Sequence, residues 1–425
     1  MEHSIIAVSP WLILPFALLL AAIATMPFIA GDWWHKNYKW VAIGLGSGVA
    51  GWYLFGLHAE HRVWETLHEY LGFFAIMVGL FTVAGGIHIT IKGRSTPNEN
   101  LAFLVAGAVI ANLVGTTGAS MLLIRPYLRN NRYRVSAYHV VFFILIVSNA
   151  GGALTPIGDP PLFLGYLRGI PFFWITEHSV LPWLVAVVLL LGIFYWIDWR
   201  NFHRMPERLQ HQVVAEGEKT IITGGHNLLW LGVVIGAVFI QNPPFLREGV
   251  MLAAAAVCYF TTKREIYASN KFTFEPVQEV GYLFIGIFLT MMPALDWLSA
   301  NARAIGADSP STLYWATGML SAVLDNAPTY LTFLAASMGS AGMQIGSRAD
   351  VLAFLGTHEL QVVAISVAAV FFGAMTYIGN GPNFMVKSIA QHSGVTMPGF
   401  FGYIVKFSLP ILLPILLIVW ILFFL

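Results

Sequence analysis

Long apolar runs alternate with short polar joints along the whole chain. We read runs at roughly 10–30, 38–57, 71–92, 99–124, 139–166, 180–198, 226–240, 248–262, 280–296, 311–338, 360–390 and 400–425. The first contains WLILPFALLLAAIATMPFIA (11–30), close to the roughly 20 residues that cross a bilayer as a helix. The pattern predicts an all-α polytopic membrane protein with about 10–11 spanning segments.

Several runs are interrupted where a spanning helix should be most regular. Residues 148–161 read SNAGGALTPIGDPP, directly after the apolar HVVFFILIV (139–147). Glycine and proline break a helix there, and irregular backbone at membrane depth persists only where protein or a cavity satisfies it. We expect a broken helix at about 139–166, with a partner at about 360–390 around TYIGNGPN (376–383). The run 99–124 has basic residues on both flanks, Lys92 and Arg94 before it and Arg125, Arg129, Arg132 and Arg134 after it. Both flanks then belong on the cytoplasmic side, so ANLVGTTGAS (111–120) is expected to turn the chain back, making 98–125 a re-entrant hairpin. SAVLDNAPTYL (321–331) marks a second hairpin at about 311–338. Its flanks hold only Arg303 and Arg348, which predicts that it enters from the opposite side.

The halves align. GLFTVAGGIH (79–88) resembles GIFLTMMPAL (286–295), TTGAS (116–120) matches DNAPT (325–329), and TPIGDPP (155–161) matches TYIGNGP (376–382). Common order with opposite sides of entry predicts two inverted repeats, a secondary-transporter signature. The divisions expected are repeat 1 over 1–199, a cytoplasmic linker over 200–225 carrying Arg200, Arg204, Arg208 and Lys219, and repeat 2 over 226–425.

Composition agrees and narrows the field. The 425 residues are 57% hydrophobic and 10% charged, with net charge +1, against about 25% charged in a soluble domain. Small, interrupted Lys/Arg clusters do not suggest nucleic acid. No GxxxxGK[ST] phosphate loop is present, which argues against ATP as energy source. The lone Cys258 excludes an intrachain disulfide and a cysteine metal site. No enzyme and no bound cofactor are expected. An intramembrane aspartyl protease would need glycine where Pro156 stands.

The breaks hold the candidate chemistry. Asp159 and Asp325 each lie inside one, and intramembrane carboxylates face cavities and are functional by default. Burial favours the protonated form of a carboxylate and a bound cation favours the charged form, so one group can hold H+ or Na+ in turn. Either aspartate could instead cap a half-helix. Ser148, Asn149, Thr155, Thr116, Thr117, Asn326, Thr329, Asn380 and Asn383 supply neutral oxygens of the kind hard cations or carboxylates accept, or serve the freed backbone. Asp159, Asp325, Asn149 and Asn380 are the proposed Na+ ligands. His88 and Asp296, read as closing related helices, and Lys387 and Arg168, following the two breaks, are candidate relay or charge partners. DWWHKNYKW (32–40) reads as part of an interfacial aromatic belt.

SNAGGALTPIGDPPLFLG resembles the run after the first hairpin of NhaD-type sodium/proton antiporters, and VLDNAPT resembles the second-hairpin motif shared with arsenite-efflux permeases. GTTGASMLLIRP together with the SNAGGALTPIGDPPLFLG run is similar to the citrate-transport branch of the same ion transporter superfamily. The resemblance covers roughly 70–420. It implies a scaffold and a hairpin-bearing transport part in each repeat, a homodimer, elevator-like movement and ion binding at Asp159 and Asp325-Asn326. The chain departs from relatives in reading TTG where many carry an Asn-Asp pair, and neither break reproduces the Ser-Asn-Thr triplets of dicarboxylate symporters. The reading is therefore Na+(Li+)/H+ antiport in a bacterial inner membrane. The alternative is Na+- or H+-coupled symport of citrate or another organic anion.

Overall fold

Most of the apolar runs become helices, since inside lipid each backbone amide must find its partner within its own segment. The computed structural model describes residues 8–92, 95–207, 210, 219–240, 242–301 and 309–425. Arg94, Arg208 and Arg303, which entered the charge argument, lie outside the described residues, as do the side chains of Lys92 and Lys219. The first helices are α1 (Leu14–Ile29), α2 (Gly31–Phe55) and α3 (Glu60–Gly85). Then come α4 (Pro97–Asn130), α5 (Ala137–Ile146), α6 (Pro160–Leu167) and α7 (Trp174–His203). Beyond the linker lie α8 (Asn227–Ala237), α9 (Leu246–Thr261), α10 (Arg264–Ser269) and α11 (Glu275–Asn301). The chain ends with α12 (Pro310–Ser321), α13 (Asn326–Ser340), α14 (Arg348–Thr357), α15 (Glu359–Phe372), α16 (Gly381–His392) and α17 (Phe400–Phe423).

The chain is an all-α polytopic membrane protein. Among the described residues, six helices have the length and apolarity of a membrane span, α4 among them although it folds back on itself, and the bent pair α14–α15, folded by 99° at His358, would be a seventh. The expected 10–11 segments exceed this because α8 and α9 have only 11 and 16 residues, and the two predicted breaks divide their runs into short helices. One small departure from all-α is a ribbon, β1 (His88–Lys92) paired antiparallel with β2 (Lys219–Thr223) in the register His88 to Thr223.

Helix α4 is nominally 34 residues long, yet it is a hairpin. A straight helix would hold Asn100 and Asn131 ~46 Å apart at 1.5 Å per residue. Instead each amide donates to the other's oxygen at 2.8 Å, and the Phe103 and Tyr127 rings lie 5.1 Å apart. The reversal is at Gly115 (φ 79°, ψ 154°), a conformation essentially reserved for glycine. Arg134 and Tyr138, just beyond, bind the fully buried Asp198 of α7, and Asn100 donates to the same carboxylate at 3.1 Å, so the open end of the hairpin is clamped.

α3 and α11 run antiparallel, Phe73 stacking on Phe284 at 4.7 Å while Arg62 meets Asp296 at 3.1 Å near the other end. The hairpin arms, α12 with α13, and the helices on either side of both breaks pack into a buried core beside this pair.

Candidate ion site

Two interrupted helices and two chain reversals converge at Asp159. The first break is α5, a short 3-10 turn at Ala150–Gly152, and α6. The second is α15, a 3-10 turn at Gly373–Met375, and α16. Within each break the backbone folds onto itself: a Cβ on Gly152 or Gly158 would strike the other residue's carbonyl, and Gly373 and Gly379 stand in the same relation. The breaks are stitched alike. Thr155 Oγ1 donates to the Asn112 carbonyl at 2.6 Å and accepts the Gly158 amide at 3.1 Å, while Thr376 Oγ1 donates to the Ala322 carbonyl at 2.6 Å and accepts the Gly379 amide at 3.1 Å. The Thr116 amide donates to the Gly158 carbonyl at 2.7 Å, joining the first hairpin tip to the first break.

Asp159 occupies the position before α6 but its side chain does not cap that helix. It is fully buried and turned inward. Thr116 Oγ1 donates to Oδ1 at 2.6 Å, Asn380 Nδ2 to Oδ1 at 3.1 Å and Asn326 Nδ2 to Oδ2 at 2.5 Å. Every donor is neutral. Asp325 behaves differently, because its Oδ1 accepts the Ala327 amide at 3.1 Å and caps α13. The helix-capping role that the sequence left open for both aspartates is thus taken by Asp325 and not by Asp159. Asp159, Asp325, Asn380, Thr116 and Thr117 all line one cavity, whose remaining wall comes largely from apolar residues of α3 and α11 such as Phe73 and Phe284. Among the described residues lining it there is no Lys, Arg or His. The Asn326 Oδ1 is buried without a hydrogen-bond partner, one side chain away from the carboxylate.

The other predicted polar residues form a layer behind this one. Asn380 Nδ2 also approaches the Ser148 carbonyl at 3.1 Å and Asn149 Oδ1 at 3.2 Å. Asn149 donates to Asn383 Oδ1 at 2.7 Å, and the Ser148 and Ser120 hydroxyls lie 2.7 Å apart. Thr329 Oγ1 donates to the Asp325 carbonyl at 2.9 Å, a backbone role. Asn112 and Thr376 were not singled out from sequence, although Thr376 stands where Thr155 stands in the aligned motif.

Four predicted charge partners are held elsewhere. His88 does not close a helix. The chain leaves α3 at Gly85–Gly86 and His88 begins β1, with its Nδ1 2.7 Å from Asn270 Oδ1. Asp296 accepts from Tyr53 at 2.7 Å and from Arg62 at 3.1 Å, and Arg168 donates to Glu69 at 2.7 Å. Lys387 Nζ lies over the Tyr377 ring, 4.5 Å from its centroid. Arg62 and Glu69 are not evident in the sequence because, about two turns apart on α3, they look like a solvated face.

Residues 5–424 match the model of a protein family described as "Putative citrate transport". A 46 kDa membrane protein of Mycobacterium leprae is 25% identical over 322 residues, 71% of this chain and 72% of the relative. Uncharacterized transporters of Mycobacterium tuberculosis (CDC 1551) and Mycobacterium bovis are 23% and 22% identical, covering 83% and 80% of this chain and 85% and 81% of their own lengths.

Proposed function

The chain belongs to this citrate-transport family, and from that premise we propose that it is a cation-coupled secondary transporter, with Na+(Li+)/H+ antiport as its leading activity. The observation that carries the reading is the environment of Asp159. A buried carboxylate is ordinarily paired with a cationic side chain, bound to a metal or protonated. Asp159 has only neutral donors, and its charged neighbour across the cavity is another carboxylate, Asp325. A proton or a small cation is what completes such a site, and the unpartnered Asn326 Oδ1 offers a further oxygen to a cation. Exchange follows if the two compete for one carboxylate in each of two access states.

In this reading Asp159 holds the exchanging proton or Na+, Thr116 and Asn380 orient it, and Asp325 sets the local field while capping α13. The paired stitches at Thr155 and Thr376 support two inverted repeats. Elevator-type access, a homodimer, a bacterial inner membrane and a cytoplasmic linker at 200–225 complete the proposal, with no cofactor beyond the transported ions.

A second reading is favoured by the family's description: citrate or another organic anion enters with Na+ or H+. The anion would then depend on bound cations and half-helix N-termini, because no basic side chain among the described residues lines the cavity. Proteoliposomes with a trapped pH dye and clamped potential separate the two. A luminal pH change on Na+ alone, lost in Asp159→Asn, supports antiport. Silence on Na+ alone with gradient-driven uptake of labelled citrate overturns it in favour of symport.

A further inference from the structure

Among the described residues, five arginines are buried or half-buried, and four of them hold a carboxylate. Arg62 meets Asp296 at 3.1 Å, Arg134 meets Asp198 at 2.8 Å, Arg168 meets Glu69 at 2.7 Å and Arg247 meets Glu248 at 2.6 Å. Arg125 is the exception. It is half-buried on the second arm of the first hairpin, and no carboxylate among the described residues pairs with it. Arg129 follows one turn later on the same face, exposed and equally without a carboxylate, its Nε donating to the Arg125 carbonyl at 3.4 Å. Like charges one turn apart repel each other unless an anion joins them.

The hairpin sets the depth of this pair. From Gly115 its arms run ~27 Å back to Pro97 and ~22 Å on to Asn130 at 1.5 Å per residue, short of the roughly 30 Å hydrocarbon layer. The tip stays inside the membrane while the charged base, where Arg134 and Asn100 meet Asp198, reaches the surface. Arg129 stands beside that base, and Arg125 lies ~6 Å deeper, at the edge of the hydrocarbon. The other arm is apolar at this level. Asn100 faces Asn131 and Phe103 faces Tyr127, so Val105 lies level with Arg125, and Val105 and Val109 are both exposed. A guanidinium without a partner beside hydrocarbon is costly. Its apolar stem lets it reach the phosphate level, and its fork of donors matches a phosphate.

We propose that Arg125 and Arg129 form a binding site for the phosphate of an anionic phospholipid, with an acyl chain along the exposed valines of the first arm. A soluble anion would have to leave water to reach Arg125, whereas a lipid phosphate already sits at that depth. A zwitterionic headgroup fits less well, because its own ammonium offsets its phosphate. The site depends only on the membrane hairpin, not on which ion or substrate is carried.

Native mass spectrometry of the delipidated full chain tests it, with phosphatidylglycerol, phosphatidylcholine and inorganic phosphate as probes. The protein should prefer phosphatidylglycerol to phosphatidylcholine. Arg125→Gln and Arg129→Gln should each lower that preference about tenfold, the loss of one charge-assisted contact. The double variant should lower it little further, because both side chains hold one phosphate. Arg200→Gln removes an exposed arginine that lies over Trp196 and should leave the preference intact. Equal binding of the two lipids, losses that multiply in the double variant, or the same loss in Arg200→Gln would overturn the site, since scattered surface charge behaves that way. Inorganic phosphate that displaces the lipid would overturn the choice of a lipid. Arg129 is exposed, so its variant keeps the test decisive should Arg125→Gln fail to assemble.

Discussion

Asp159 and Asn380, 221 residues apart, are hydrogen-bonded to each other at 3.1 Å from the same place in two different broken helices. Each precedes the half-helix that follows its break, with φ/ψ of −145°/145° and −150°/137°, and neither caps that helix. One half of the molecule contributes an acid to this contact and the other an amide. Asp159→Asn is expected to reduce cation-driven proton movement about 100-fold, the loss of a charged ligand worth about 2.7 kcal/mol. Because the two backbones match, the exchange Asp159→Asn with Asn380→Asp returns a carboxylate to the same contact and should recover measurable activity. Initial rates in proteoliposomes decide it, and a dead double exchange alongside a folded protein would show that the side from which the acid projects also matters.

The hairpin makes a prediction free of any functional assumption. Cysteines at Phe103 and Tyr127, in a Cys258→Ala background, should be bridged by a bifunctional thiol reagent of about 10 Å span, far short of a straight helix's separation, since the two ring centroids lie 5.1 Å apart. A straight helix would place the two positions ~36 Å apart, so failure to cross-link in folded protein contradicts the reversal at Gly115.

Gly115 itself should tolerate no side chain. A Cβ there would meet the Ile157 carbonyl at 3.2 Å, on a backbone at φ 79°. Gly115→Val is expected to cost about 1–3 kcal/mol and to displace Thr116 from Asp159. Thermal unfolding in detergent reads the first effect, and a raised half-saturating Na+ concentration reads the second. A neutral outcome in both would mean that the tip is not a fixed part of the site.

Arg168 and Glu69 connect α6, the helix that Asp159 precedes, to α3. Arg168 is nearly enclosed, with 6% of its side chain exposed, while Glu69 is at 18%. Glu69→Gln should therefore destabilise by roughly 2–4 kcal/mol by leaving a buried guanidinium without its partner. Glu69→Gln with Arg168→Gln should be less damaging than Glu69→Gln alone. Denaturation of the three variants is the check, and equal or additive losses would remove the argument.

The breaks and reversals were legible in the sequence because they violate its own pattern. Glycine, proline, asparagine and aspartate have no business in an apolar run unless the backbone there is exposed to something polar. SNAGGALTPIGDPP, TYIGNGPN, ANLVGTTGAS and SAVLDNAPTYL all fall where the helices break or turn. The different duties of Asp159 and Asp325 were not legible, since both precede a helix that begins near a proline, and what separates them is local geometry: φ is −145° at Asp159 and −58° at Asp325, and only the second carboxylate accepts an amide of its own helix. The ion pairs of α3 were hidden for another reason: Arg62 finds Asp296 across 234 residues. HITIK (88–92) continues an apolar run and reads as the end of a helix until KTIIT (219–223), its distant partner, is brought beside it.

That ribbon decides where the molecule can be cut. It fastens the end of the polar connection between the halves back onto the first half, immediately ahead of the hairpin that begins at Pro97. A reporter inserted within 219–223, or a split placed there, would unzip five register pairs and loosen the base of that hairpin. The same insertion made before residue 219 leaves both strands intact. Gene fusions and two-fragment expression should accordingly succeed on one side of Lys219 and fail a few residues beyond it, although a hydropathy plot draws the whole stretch as one undivided loop.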